Sequence, residues 1–268
     1  MTQAGPILNQ SGLAEGFRQL GLREGLTAMV HSSLSSFGWV EGGAETVIKA
    51  LLDVLGAGGT LVLPTLCLKE DRFETWDIRH SPSTVGRITE TFRLWPGVLR
   101  SDHFSHSVAA LGPLAEEITS GHATAYGRPS PWGPAAFGYG SPWGKFYELN
   151  VLYCFLGVNF RVNTLRHYSQ SVLVEEALAQ APSTARERLA AQIPDWRKPG
   201  VWPYHDDEKM EARLAGLGLI NYVQIGNAIC RSIPARTQVD HTLEILRAEP
   251  AQWFDAGFMD WYDATLRR

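Results

Sequence analysis

A histidine near the predicted start of a helix is the residue of this sequence best placed for proton transfer. Residues 156–170 have the sequence LGVNFRVNTLRHYSQ. The pattern predicts a strand that ends at Gly157 and a helix, capped by Thr164, that carries His167 in its first turn. The helix dipole disfavours the imidazolium there and lowers the pKa of the ring, and a neutral imidazole is what a general base requires. The alternative is an ordinary histidine held by a backbone carbonyl.

A serine-rich loop is a second candidate site. Four serines lie in the segment HSSLSSFG, residues 31–38, directly after a predicted buried strand. Open α/β sheets bind ligands at the carboxyl ends of their strands. Hydroxyl and backbone N–H groups in that place suit an amide- and phosphate-rich ligand, such as the pantetheine arm of coenzyme A. A turn that only caps the following helix fits these residues equally well.

Two further histidines, His103 and His106, lie in the segment RSDHFSHSVAALG, residues 100–112. An H-x-x-H pair without a nearby carboxylate is a weak metal signal, because catalytic zinc usually takes three protein ligands. We therefore expect structural or ligand-lining roles for both and predict no metal. Cys67, Cys154 and Cys230 are widely spaced, which predicts neither disulfides nor zinc and favours a reducing, cytoplasmic compartment.

The elements that would position these residues follow an α/β pattern. Buried runs predict strands over 27–30 and 60–64 joined by a helix over 44–55, a crossover that makes the two strands parallel. We predict one α/β domain over residues 1–268, with a partly parallel central sheet flanked by helices. Other expected elements are helices over 11–20, 82–94, 164–179, 208–217 and 242–246, strands over 107–111, 151–158 and 222–233, and irregular chain over 121–145 and 181–200.

Several classes of protein are disfavoured. The 268 residues carry a net charge of -4, which argues against a general nucleic-acid binder. The sequence has no G-x-S-x-G nucleophile elbow and no Walker A motif, and a proline interrupts the glycine spacing after Gly138. We found neither a signal peptide nor an apolar run of the ~20 residues that a membrane span needs.

Six segments, in this order along the chain, resemble the aminoglycoside N3-acetyltransferase family, whose fold differs from the GNAT fold. They are VHSSLSSFGWVEGGAETVIKALLDVLGAGGTLVLPT (30–65), SPSTVGRITETFR (81–93), RSDHFSHSVAALGP (100–113), GSPWGKFYEL (140–149), LGVNFRVNTLRHYSQ (156–170) and IGNAICRSIPAR (225–236). Residues 171–220 are the weakest part of the resemblance.

The resemblance implies an antibiotic N-acetyltransferase-like fold, acetyl-CoA as cosubstrate and a small-molecule amine as acceptor. It implies that His167 is the general base and that Gln170 occupies the position of its usual acidic partner. We expect residues 27–113 to form mainly the coenzyme side and residues 121–236 mainly the acceptor side. The expected coenzyme contacts are His31, Ser32, Ser33, Leu34, Ser35 and Ser107, and the expected acceptor contacts are Arg161, Asn163 and Trp143.

Two mechanisms are compatible with this chemistry. In direct transfer, His167 removes a proton from the amine, and N–H or hydroxyl donors from the 31–36 loop or Ser107 stabilise the tetrahedral oxyanion. In the competing mechanism an acetyl-cysteine forms, with Cys67 as the nucleophile near a strand end. No histidine or arginine adjoins Cys67 in the sequence, so direct transfer is favoured.

The sequence departs from the family at two positions. Gln170 stands where the family usually has Glu, and Arg161 lies in a loop that commonly carries an acid. Both changes remove negative charge, so we predict a neutral or anionic amine rather than a polycationic aminoglycoside. The alternatives are an aminoglycoside acetyltransferase, an enzyme that transfers a longer acyl group, and a catalytically silent relative. The sequence is also compatible with a homodimer. Acids that could replace the Glu are Asp102, Glu148, Asp206 and Asp240.

Overall fold

A mixed seven-stranded sheet forms the centre of the computed structural model, which describes residues 8–67, 73–193 and 200–267. The strand order is β3-β4-β2-β1-β5-β7-β6. The strands are β1 (Thr27–Ser32), β2 (Thr60–Pro64), β3 (Leu99–Arg100), β4 (Val108–Leu111), β5 (Leu152–Leu156), β6 (Asn221–Ile225) and β7 (Ala228–Pro234).

The middle of the sheet is parallel. Strand β1 pairs in parallel with both β2 and β5, so that Met29 lies beside Val62 on one side and Tyr153 on the other. The flanking pairs, β2 with β4 and β5 with β7, are antiparallel. The partly parallel sheet predicted from the sequence is therefore confirmed.

Helices cover both faces of the sheet. Alternate residues of β1 belong to two separate cores. Met29 packs on the face covered by the helices over 142–148, 165–180, 235–248 and 256–266, whereas Ala28 and Val30 pack on the face covered by the helices over 10–19 and 43–55. This alternation follows from the two-residue side-chain period of a strand. The helices are α1 (Gln10–Gln19), α2 (Gly43–Leu55), α3 (Arg87–Arg93), α4 (Ala115–Thr119), α5 (Pro142–Glu148), α6 (Leu165–Gln180), α7 (Ser183–Ala190), α8 (Asp207–Gly216), α9 (Ala235–Ala248), α10 (Pro250–Trp253) and α11 (Ala256–Leu266).

Several predicted boundaries were wrong. The helix predicted over 11–20 begins at Gln10, because the side chain of Asn9 caps it by accepting a hydrogen bond from the backbone of Gly12. Helix α3 begins only after Gly86, whose φ of 134° is not helical. Part of the segment expected to be irregular, 181–200, forms α7, and its residues 194–199 lie outside the described residues. The helix predicted over 242–246 is part of the longer α9, and α10 and α11 follow it.

The parallel strands bring the loops of the candidate site together. Strands β1, β2 and β5 all end at one edge of the sheet, and the segments that follow them start there. Gly157, just after β5, has a φ of 69°, and a Cβ at that position would lie 2.5 Å from the Cβ of Ser36. The close approach therefore requires glycine and packs the β5 loop against the serine-rich loop.

None of the described helices is both long enough and apolar enough to cross a membrane.

Candidate active site

His167 lies in the first turn of α6, as the sequence predicts, and its side chain is almost fully buried. The loop between β5 and α6 brings the helix start to the carboxyl edge of the sheet. Within that loop the Asn159 side chain accepts a hydrogen bond from the backbone of Arg161, and the hydroxyl of Tyr153 on β5 accepts one from the backbone of Leu165. These contacts fix the place where α6 begins and thus the place of His167.

The partner of His167 is Gln170, one helical turn further along α6. The Gln170 Oε1 lies 2.7 Å from His167 Nδ1. The same oxygen accepts a hydrogen bond from Trp202 Nε1 at 2.9 Å, and Gln170 Nε2 donates to the Pro203 carbonyl at 2.9 Å. Gln170, at the position of the family Glu, thus still holds the His167 ring by a hydrogen bond, through an amide instead of a carboxylate.

The surroundings of His167 favour the neutral ring. Burial is the main cause that places the pKa of His167 well below its usual value, and the positive charge of Arg166 adds to it. His205 acts in the same direction, whereas the hydrogen bond to Gln170 opposes it. Arg166 Nε lies 3.5 Å from His167 Nε2, and the Arg166 guanidinium forms an ion pair with Asp207.

The cleft beside His167 has a volume of about 460 Å³. Aromatic rings form one wall, with the Trp132 ring centroid 4.6 Å from that of His167 and the His106 centroid 5.9 Å away. Its charged lining residues among those described, other than histidines, are Arg161 and Arg166. The Oδ1 of Asn163, which also lines the cleft, is buried and has no hydrogen-bond partner among the described residues. A ligand that fills the cleft could satisfy it.

A second cleft, of about 880 Å³, opens from the first. Ser32 and Val85 line both, so the two clefts meet at the end of β1. The Ser32 Oγ is buried there and has no hydrogen-bond partner among the described residues. The serine-rich loop, the start of α2 and the start of α3 form the second cleft, through residues that include Ser33, Leu34, Ser35, Trp39, Gly43 and Arg87.

The structure brings together most of the residues predicted for the site. His31, Ser32, Arg161, Asn163 and His167 all line the first cleft. Ser32, Ser33, Leu34 and Ser35 line the second, and Gln170 lies directly behind His167.

Two predicted contacts lie outside both clefts. Ser107 is fully buried, and its hydroxyl bonds the Thr65 carbonyl. Trp143 is also fully buried and donates to the His106 carbonyl, so it supports the cleft wall from behind. The sequence SPWG occurs twice, at 130–133 and 141–144, and the half-buried Trp132 of the first copy lines the first cleft instead. Nothing in the local sequence distinguishes the two copies.

Three of the four acids considered as alternatives have other partners. Cys67 is fully buried and does not line either cleft. Asp102 accepts from Trp76, Asp206 caps α8, and Asp240 accepts from Tyr147. Sequence analysis missed Arg166 and Trp202, although Arg166 directly precedes the predicted base. The described ranges contain no cluster of three potential metal-ligating side chains.

Comparisons with known proteins show what this chain resembles. The family model described as Aminoglycoside 3-N-acetyltransferase matches residues 29–247. The SPbeta prophage-derived aminoglycoside N(3')-acetyltransferase-like protein YokD of Bacillus subtilis is 34% identical over 189 residues, which cover 62% of this chain and 65% of that protein. Aminoglycoside N(3)-acetyltransferase VII of Streptomyces paromomycinus is 34% identical over 199 residues, covering 66% and 63%. The chain thus spans less than two thirds of the length of these curated relatives.

Among solved structures, aminoglycoside acetyltransferase AAC(3)-IVa shares the fold. Its apoenzyme superposes with a TM-score of 0.72 at 25% identity, covering 97% of this chain and 98% of that one. The structure of a mutant of the same enzyme in complex with apramycin has a TM-score of 0.66 at 28% identity, covering 91% and 94%.

Proposed function

Because the chain belongs to the aminoglycoside 3-N-acetyltransferase family, we propose that it transfers the acetyl group of acetyl-CoA to a primary amine of a small molecule. One observation carries the proposal. A buried histidine, held through Nδ1 by Gln170, lies beside a cleft that meets a second, larger cleft at Ser32. Two substrates can therefore meet next to a general base.

We assign the second cleft to coenzyme A. The pantetheine arm would run along Ser33 and Ser35, and the thioester would reach the first cleft beside Ser32. The start of α2 and the side chain of Arg87 supply positive potential for phosphate groups. All residues of this cleft belong to 27–113, which supports the proposed coenzyme side, whereas the cleft beside His167 is lined by nine residues of 27–113 and eight of 121–236.

The proposed reaction is direct transfer. The neutral amine attacks the thioester carbonyl, and His167 takes the proton that the nitrogen loses. The tetrahedral intermediate collapses with release of the coenzyme A thiolate, which leaves an amide product. The Ser32 hydroxyl can donate to the developing oxyanion. The burial of Cys67 away from both clefts supports this route over an acetyl-cysteine.

For the acceptor, the relatives favour an aminoglycoside, since two of them are named aminoglycoside N-acetyltransferases or likened to them and a third is bound to apramycin. The neutral or anionic amine predicted from the sequence is not confirmed. It stays a second candidate because of one observation: Arg161 and Arg166 line the first cleft, and an amide replaces the family carboxylate behind His167. Positive side chains repel a polycation.

A kinetic panel tests both proposals. Thiol release from acetyl-CoA would be followed with apramycin, gentamicin, neutral monoamines, amino acids and 2-aminoethylphosphonate, and then with longer acyl-CoAs. Turnover of the aminoglycosides would support the first candidate, and preference for the anionic amines the second. His167→Asn should lower kcat by about 10²–10⁴-fold, whereas His241→Asn, on the outer helix α9, should not change it. Coenzyme A binding without any transfer would identify a catalytically silent relative.

A further inference from the structure

The orientation of the Gln170 side-chain amide is determined by two neighbours that cannot exchange roles. The Trp202 indole N–H can only donate, and it points at Oε1 from 2.9 Å. The Pro203 carbonyl can only accept, and it receives Nε2 at 2.9 Å. If the amide were flipped, its NH₂ group would face the indole N–H and its oxygen would face the Pro203 carbonyl. Both contacts would then be repulsive.

The fixed amide in turn determines which nitrogen of His167 carries the proton. Oε1 is an acceptor and lies 2.7 Å from Nδ1, so Nδ1 must be the donor. In the neutral ring the lone pair is then on Nε2. Arg166 Nε, a donor, lies 3.5 Å from Nε2, which agrees with this assignment. Nε2 is therefore the basic atom.

We infer that Trp202 is a positioning residue that, together with the Pro203 carbonyl, fixes the Gln170 amide so that the neutral His167 ring keeps its proton on Nδ1 and its lone pair on Nε2. Gln170 and Trp202 are 0% and 2% exposed, so water does not compete for these hydrogen bonds. The catalytic use of this tautomer rests on the proposed function, whereas its existence does not. In this chain the Trp202 indole and the Pro203 carbonyl orient the Gln170 amide, which in turn orients the His167 ring; a carboxylate at position 170 would orient the ring by its charge.

The test is the ¹⁵N spectrum of the His167 ring in labelled, ligand-free protein at pH 7.5. The wild-type protein should show one neutral tautomer with the proton on Nδ1. Gln170→Leu removes the acceptor, so the Nε2–H tautomer should appear. Trp202→Phe removes one of the two orienting contacts, so a smaller share of Nε2–H should appear. A wild-type ring protonated on Nε2 would overturn the inference, and an unchanged spectrum in Trp202→Phe would overturn the role of Trp202.

Trp261→Phe is the matched control. Its indole is also buried and donates to a backbone carbonyl, that of Leu189, but it lies on α11, away from His167. Its spectrum should equal that of the wild type. With any acceptor that the panel identifies, Trp202→Phe should lower kcat about 3- to 10-fold with KM within about 2-fold, and Trp261→Phe should change neither. If no amine is acetylated, the proposed function fails, but the spectra still decide the tautomer.

Discussion

Arg166 Nε lies 3.5 Å from Nε2 of His167, the ring nitrogen that Gln170 does not hold. A positive charge next to the proposed base is unfavourable for its protonated form. The guanidinium is paired with Asp207, and both side chains are mostly buried. Burial is the largest cause of the lowered pKa of His167, the charge of Arg166 lowers the pKa further, and the hydrogen bond to the Gln170 amide opposes both.

Two substitutions at this ion pair should shift the pKa of His167 in opposite directions. Arg166→Gln removes the positive charge, so the pKa of the ring should rise. Asp207→Asn leaves the guanidinium without its counter-charge, so the pKa should fall further. NMR titration of His167 measures both shifts, with His205 followed in the same spectra because the charge of Arg166 also lowers the pKa of His205. Equal shifts in both variants would contradict the electrostatic explanation.

Gln170→Glu, which restores the family acid, should raise the pKa of His167 and lower the stability of the folded chain. In Gln170→Glu one carboxylate oxygen can accept from His167 and Trp202, but the other replaces a donor and faces the Pro203 carbonyl. We expect a higher pKa for His167 and a free energy of unfolding lower by about 1–3 kcal/mol. NMR titration and urea unfolding measure the two effects. Gln180→Glu, an exposed change of the same charge on the same helix, should produce neither.

The position of His167 could be predicted because it depends on local sequence. A buried strand, a polar loop and a helix follow one another within a single stretch of the chain. The parallel crossover between β1 and β2 was predictable for the same reason. The resemblance to a family then assigned the serine-rich loop to a ligand.

The network around His167 could not be predicted, because its members come together only through tertiary packing. Trp202 and Pro203 lie more than thirty residues after Gln170, in a segment that no periodicity assigns to an element. The placements of Ser107 and Trp143 have a related cause. Ser107 begins a predicted strand and Trp143 lies in a segment predicted to be irregular, and in neither place does the sequence alone show whether the side chain is covered. The buried Ser107 and Trp143 bond to backbone carbonyls, whereas Ser32 and Trp132 line the cleft.

Removal of the Ser32 hydroxyl should affect the chemical step more than binding. Ser32 lines both clefts, and its buried Oγ has no hydrogen-bond partner among the described residues. If it donates to the oxyanion, Ser32→Ala should lower kcat about 10²-fold and change KM for acetyl-CoA little. Ser33→Ala is the control, because Ser33 lines only the second cleft and its Oγ bonds that of Ser35. Steady-state kinetics that show the larger loss of kcat in Ser33→Ala would contradict this role.

The buried histidines predict that acid destabilises the folded chain. Burial lowers the pKa of His31 to about 3 and the pKa values of His103 and His205 to about 4, and it holds the pKa of His122 well below the usual value. The unfolded chain takes up protons near pH 6.5, whereas the folded chain does not, so stability present above that pH is lost as the pH falls toward 4.

Within that window each such histidine should contribute a loss of about 1.4 kcal/mol per pH unit. Urea unfolding between pH 7.5 and pH 5 measures the slope. His122→Asn should reduce the slope, because it removes one group that the fold keeps neutral among Ser101, His103 and the Ala136 carbonyl. A free energy of unfolding that does not fall between pH 6.5 and pH 5 would show that the buried rings accept protons without unfolding.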